Sequence, residues 1–151
     1  MARIWIYQAD RFLSDDEVKD ITTLSTDFVS SWTAHGSALA GKAYVLDNIF
    51  LILEVDEEIA GVTGCSIDKS VHFIKALGQK FNIDFFDRMR VVYYSDEQTI
   101  SLASRDEFQE LVNKGVVNQD TLVYNNLIQT NDQLATEWKV PFAKSWHSKV
   151  F

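Results

Sequence analysis

Apolar residues recur along this chain with two different periods, and the switches between them mark out its elements. "ARIWIYQA" (2–9) is dense in strand-forming residues and reads as a first strand. Ser14 and Glu17 then stand three apart, a hydroxyl and a carboxylate placed to satisfy the first open amides of a helix. Val18, Ile21, Leu24, Phe28 and Trp32 follow at helical spacing, which predicts one apolar face on a helix over 15–32. The segment 33–42 breaks that period and reads as a loop.

From there the period shortens. "KAYVL" and "IFLILEV" flank Asp47 and Asn48, a pair suited to a hairpin turn. "IAGVT" (59–63) predicts a third short strand. Ser66 is expected to cap the next helix, with Ile67, Val71, Ile74, Leu77 and Phe81 on one face. "RVVYY" and "TISLA" predict another hairpin. Ser104 and Glu107 repeat the capping spacing, and Gly115 is placed to end that helix. "TLVYNNLI" reads as a strand. Thr130 and Gln133 are expected to cap a last short helix carrying Leu134 and Trp138, which stops before Pro141. Consecutive hairpins imply antiparallel pairing. The expectation is one α+β domain over 1–151 with about four helices and a mostly antiparallel sheet; a mixed, doubly wound sheet is the alternative.

Composition narrows the functional classes. At 151 residues, 46% of them apolar, the chain is long enough for a packed core. No apolar run approaches the roughly 20 residues of a membrane span, and the N-terminus lacks a secretion-signal pattern. A single cysteine allows no internal disulfide and fits a cytoplasmic setting. The net charge of −8, with lysines and arginines scattered, argues against nucleic acid and for a small molecule or a protein partner.

Three stretches carry candidate chemistry. In "HGSALAGKAY" (35–44), Gly36, Gly41 and Lys42 match the spacing of a phosphate loop, but Ala43 replaces its hydroxyl residue. A helix precedes that loop and a strand follows it, the reverse of the order that aims helix amides at phosphate. In "AGVTGCSIDKSVHFIKAL" (60–77), Cys65 stands beside the expected cap Ser66, where the positive end of a helix favours thiolate. Asp68 and His72 share its side of the helical wheel, yet His72 lies about two turns, roughly 10 Å, from Cys65. His35 or His147 is therefore the better placed base for a thiol nucleophile. Trp32 with His35, and Trp146 with His147, join a broad apolar ring to a polar one, as ligand-pocket walls do. The histidines and Cys65 lack paired ligand spacing, so neither a metal nor a cofactor is expected.

"WTAHGSALAGKA", "FLILEVDEE", "GVTGCSIDKSVHFIKAL", "FDRMRVVYY" and "SWH" together resemble, nearly end to end, a family of small bacterial proteins carried under the label "ABC transporter ATPase". That label implies nucleotide hydrolysis. The chain has no LSGGQ-type signature, and Ala43 rather than Ser or Thr directly follows Lys42; the resemblance brings no catalytic residues with it.

The functional expectation is a non-enzymatic cytoplasmic α+β domain that binds a small molecule or a protein partner. Its contact residues are expected to be Trp32, His35, Cys65, Ser66, Asp68, His72, Trp146 and His147. One alternative is a thiol-dependent enzyme with Cys65 as nucleophile and His35 or His147 as base. A second is phosphate or nucleotide binding by the loop holding Gly36, Gly41 and Lys42.

Overall fold

The computed structural model describes residues 2–34, 36–57 and 61–151. Every strand pairing in it is antiparallel, so the fold is α+β and the doubly wound alternative falls. Contacts group the chain into two compact units. The first comprises Met1–Asp87 with Gln129–Asn131, the second Arg88–Ile128 with Asp132–Phe151.

The first unit is built on a three-stranded sheet. Its strands are β1 (Arg3–Gln8), β4 (Gly41–Leu46) and β5 (Phe50–Val55), in the order β1-β5-β4. Helix α1 (Asp15–Ser30) follows β1 and carries the expected capping box at Ser14 and Glu17. Ile21, Ser25 and Val29 form its buried stripe. Between α1 and β4 the expected loop is a miniature hairpin, β2 (Thr33–Ala34) against β3 (Ser37–Ala38), turned at Gly36 with φ 77°. Asp47 and Asn48 both adopt φ 55°, and Ile49 N–H donates to the Leu46 carbonyl at 3.2 Å. Two consecutive left-handed residues match the twist of the flanking strands, which is why this dipeptide pins the register.

Central β5 is buried along its whole length, Glu54 included. That carboxylate is satisfied on the sheet: the Tyr44 hydroxyl donates to it at 2.9 Å, and Lys42 Nζ lies 3.1 Å away. Burial, and then the hydrogen bond to Glu54 and its charge, push the Tyr44 phenol well above its ordinary value.

Helix α2 (Gly64–Phe81) begins three residues earlier than a cap at Ser66 implies. Its cap is Thr63, whose side chain accepts from Ser66 N–H at 3.2 Å while Ser66 Oγ accepts from Thr63 N–H at 2.7 Å. Ser66 is thus the third helical residue. Positions 61–63 form no strand, since Thr63 is used as the cap; the rest of that expected strand lies outside the described residues. The helix ends at Asn82, left-handed at φ 56°, with both Asn82 and Ile83 N–H donating to the Gly78 carbonyl. Residues 129–131 lie along β1: Ile4 N–H donates to the Gln129 carbonyl and Asn131 N–H to the Ala2 carbonyl, each at 2.9 Å.

The second unit has a four-stranded sheet, β7-β6-β8-β9. Its strands are β6 (Val91–Tyr94), β7 (Ile100–Ala103), β8 (Leu122–Tyr124) and β9 (Lys139–Pro141). Between β7 and β8 runs α3 (Arg105–Asn113), with its capping box at Ser104 and Glu107 and Gly115 at φ 74° beyond its end. The strand expected over 121–128 shrinks to β8. The last helix, α4 (Gln133–Thr136), is a single turn whose N-cap is Asp132 rather than Thr130, with no side-chain cap bond. Pro141 sits on the edge strand β9, where a missing N–H leaves no gap in the ladder. Phe108 is the hub of this core, with Tyr93, Phe142 and Phe151 rings at 5.6, 6.0 and 4.9 Å.

Candidate functional site

Of the contact residues expected from sequence, Trp32, Cys65, Ser66, Asp68 and His72 belong to the first unit, and Trp146 and His147 to the second. Trp32 and Ser66 do meet: the buried Trp32 indole N–H donates to the Ser66 carbonyl at 2.8 Å, fixing the β2–β3 hairpin to the head of α2. Ser66 itself is 1% exposed and occupied by the capping box. Both side chains are buried where they meet. Cys65, Asp68 and His72 are exposed on α2. His35 lies outside the described residues.

Trp146 and His147 belong to the second unit. The His147 ring is 3% exposed, stacked on Trp146 at 3.8 Å and 6.3 Å from Phe108. Ser145 Oγ donates its proton to the Phe142 carbonyl at 2.8 Å, so it accepts from His147 Nδ1–H, 3.2 Å away. That bond fixes the neutral tautomer. Burial then pushes the imidazole down to about 4. His147 is a core histidine.

Lys42, the last residue of the glycine loop pattern, lies in β4 and pairs with Glu54. The segment from Gly36 to Lys42 runs turn, strand, strand, and opens into no helix. It lacks the converging amides that a phosphate loop needs.

A cleft exists elsewhere in the first unit, at the carboxyl end of α2. It measures about 400 Å³. Ile74, Gly78 and Phe85 contribute its apolar surface, and Asp10, Lys75, Asp84 and Phe86 bring charge and an exposed ring to it. Local chemistry sets each wall. Gly78 is required because a Cβ there would strike the Ile83 carbonyl oxygen, which is how the chain folds back beneath the helix. Asn82 supplies the left-handed residue of that reversal. Asp10 Oδ1 accepts from Asp84 N–H at 3.0 Å, and Asp84 Oδ1 from Phe86 N–H at 2.8 Å, so each carboxylate is held by backbone. The Phe86 ring meets Tyr7 edge to face at 5.7 Å and is still 37% exposed. Arg11 clamps the same end: it holds Glu17 through two bonds of 2.8 and 2.7 Å and donates to the Phe81 carbonyl at 2.8 Å. The Arg11 hydrogen bonds hold the Glu17 carboxyl down to about 2.

Sequence reasoning missed this place because Asp10 and the 74–86 segment are joined only by folding. "NIDFFD" (82–87) carried the available signal: paired aromatics between acids, directly after a helix, where apolar rings have a reason to be at the surface. A smaller cleft of about 280 Å³ in the second unit, lined by Leu127, Glu137 and Lys144 among others, brings together no comparable pairing of ring and fixed charge. No helix among the described residues is long and apolar enough to cross a membrane. No family model, curated protein or solved structure matches this chain.

Proposed function

We propose that this chain is a non-enzymatic cytoplasmic binding protein whose first unit holds a small organic molecule in the cleft at the carboxyl end of α2. One observation carries the reading. The cleft, about 400 Å³, falls within the roughly 300–1,000 Å³ of small-molecule sites and pairs an apolar wall with backbone-held polar groups. Its concavity favours a small ligand over a protein partner, which needs a broader face. The net charge of −8 argues against nucleic acid.

The test is a fragment screen followed by amide shifts in ¹H–¹⁵N spectra of the full chain. Ligands that move amides of 74–86 saturably support the reading. A screen in which no fragment moves them, while an added protein broadens other surfaces, would overturn it.

A second reading is thiol chemistry at Cys65, favoured by that residue's exposure on the first turn of α2. The first turns of α1 and α3 are acidic and that of α2 is not, so the positive helix end there is not offset locally. Of the candidate bases, His147 is buried in the second unit, which leaves His35. Alkylation of Cys65 from pH 5 to 9 decides. A midpoint well below the ordinary thiol value of about 8.5, moved by His35→Ala, supports it, and an ordinary profile in both proteins removes it.

A further inference from the structure

We propose that the α2 cleft selects a small organic cation, an ammonium or amidinium carried on a flat apolar body. The inference rests on the reading of the cleft as the binding site and adds the chemical class of its occupant. Charge comes first. The ionisable side chains on the lining are Asp10 and Asp84 against Lys75, an excess of negative charge. Each carboxylate spends Oδ1 on a backbone amide, which anchors it and leaves its second oxygen for a donor. Arg11, next to Asp10, gives its hydrogen bonds to Glu17 and to the Phe81 carbonyl, and it attracts the Asp10 carboxylate through charge alone, which leaves the oxygens of Asp10 to other donors.

The second observation is independent of those carboxylates. Phe86 is braced by Tyr7 yet exposed, and Lys75 Nζ already lies 6.0 Å from its ring centre. A positive charge therefore rests near this ring, supplied by an exposed side chain. That is the place a ligand's cation takes when it displaces Lys75, with attraction from the ring face added to that of the carboxylates. An anion of the same shape would gain only Lys75 and would meet Asp10 and Asp84.

Two probes with a common ring separate the possibilities: tryptamine and indole-3-propionate, each titrated into the full-length protein while amide shifts are followed. Tryptamine is expected to move the amides of 74–86 saturably. Asp10→Asn with Asp84→Asn keeps both Oδ1 acceptors and should weaken it about tenfold, each exposed charge pair contributing a few-fold. Lys75→Ala, a change on the exposed face of α2, should tighten tryptamine several-fold and weaken the propionate. Tighter binding of indole-3-propionate to the same amides, or an unchanged tryptamine affinity in the Asn variant, would overturn the cationic class and leave the cleft as a site. If neither probe moves those amides, both this inference and the reading beneath it fall. Should the Asn variant not fold, the opposite responses to Lys75→Ala still decide the charge.

Discussion

His147 makes the second unit acid-labile, and the size of the effect follows from its surroundings. The neutral ring is buried, fixed by Ser145 and packed among Trp146 and Phe108. Protonating it in place would gain a cation–ring contact with Trp146 of about 1–2 kcal/mol. Burial outweighs that gain, which is why its pKa falls from 6.5 to about 4. A group whose folded pKa is depressed in this sense binds more protons when unfolded. Its stabilising contribution is complete above about pH 6.5 and is lost as pH falls toward 4. With those two values the loss is about 2 kcal/mol at pH 5 and about 3 kcal/mol once both states are protonated. Against a typical total of roughly 5–15 kcal/mol this is readily measured. The assay is urea unfolding from pH 7.5 to 5, read through amide signals of α3 and β6, with the His147 Cε1–H shift titrated in parallel. His147→Leu, which leaves the Ser145–Phe142 bond intact, should flatten the slope between pH 7 and 5. A folded-state His147 midpoint above 6, or a slope that persists in the Leu variant, would refute the reasoning. Glu17 acts in a lower window and does not confuse the result, because its carboxyl, held down to about 2, loses its contribution only below about pH 4.5.

Three further outcomes follow from the same contacts. Gly78→Ala gains about 1 kcal/mol of helix propensity but drives a methyl into the Ile83 carbonyl. It should therefore destabilise by a net 1–2 kcal/mol or so in thermal unfolding, the overpacking term being the larger, and distort the cleft amides. Arg11→Ala removes the two-pronged bond to Glu17 and the tie to Phe81. A loss of about 1 kcal/mol is expected for so exposed a pair, together with a Glu17 titration that returns toward the ordinary carboxylate range in carboxyl-carbon NMR. Thr63→Ala should cost about 1 kcal/mol and speed amide exchange in the first turn of α2; unchanged exchange there would show that Thr63 is not the cap.

The parts of the fold that local chemistry dictates were legible. Ser14 with Glu17, Ser104 with Glu107, and Asp47 with Asn48 each carry their instruction within a few residues, and the structure follows them. The start of α2 was displaced because its capping box is Thr63 with Ser66, and a hydroxyl at the third position does not stand out as Glu does. β2, β3 and β9 are two or three residues long and too short to display a period. No proline, glycine or serine run accompanies the division near residue 88, so composition gave no hint of two units. The expected contact residues rest on an aromatic ring beside a histidine and on polar groups sharing one side of α2. Burial, which a sequence displays only on average, encloses Trp32, Ser66 and His147. The cleft depends on Asp10 meeting Asp84, a contact no window along the chain can contain.

The short segment 129–131 along β1 has a consequence for biosynthesis. The first unit is not complete when residue 87 leaves the ribosome: the outer edge of β1, at Ala2 and Ile4, still waits for partners that are translated after the stretch 88–128. At about 5–20 residues per second that wait lasts several seconds. During it the nascent chain presents an unpaired strand edge next to a central strand that is apolar but for Glu54, the kind of template on which chains join one another. A fragment ending at residue 87 would keep that edge permanently, and supplying a peptide spanning 126–133 in trans would close it.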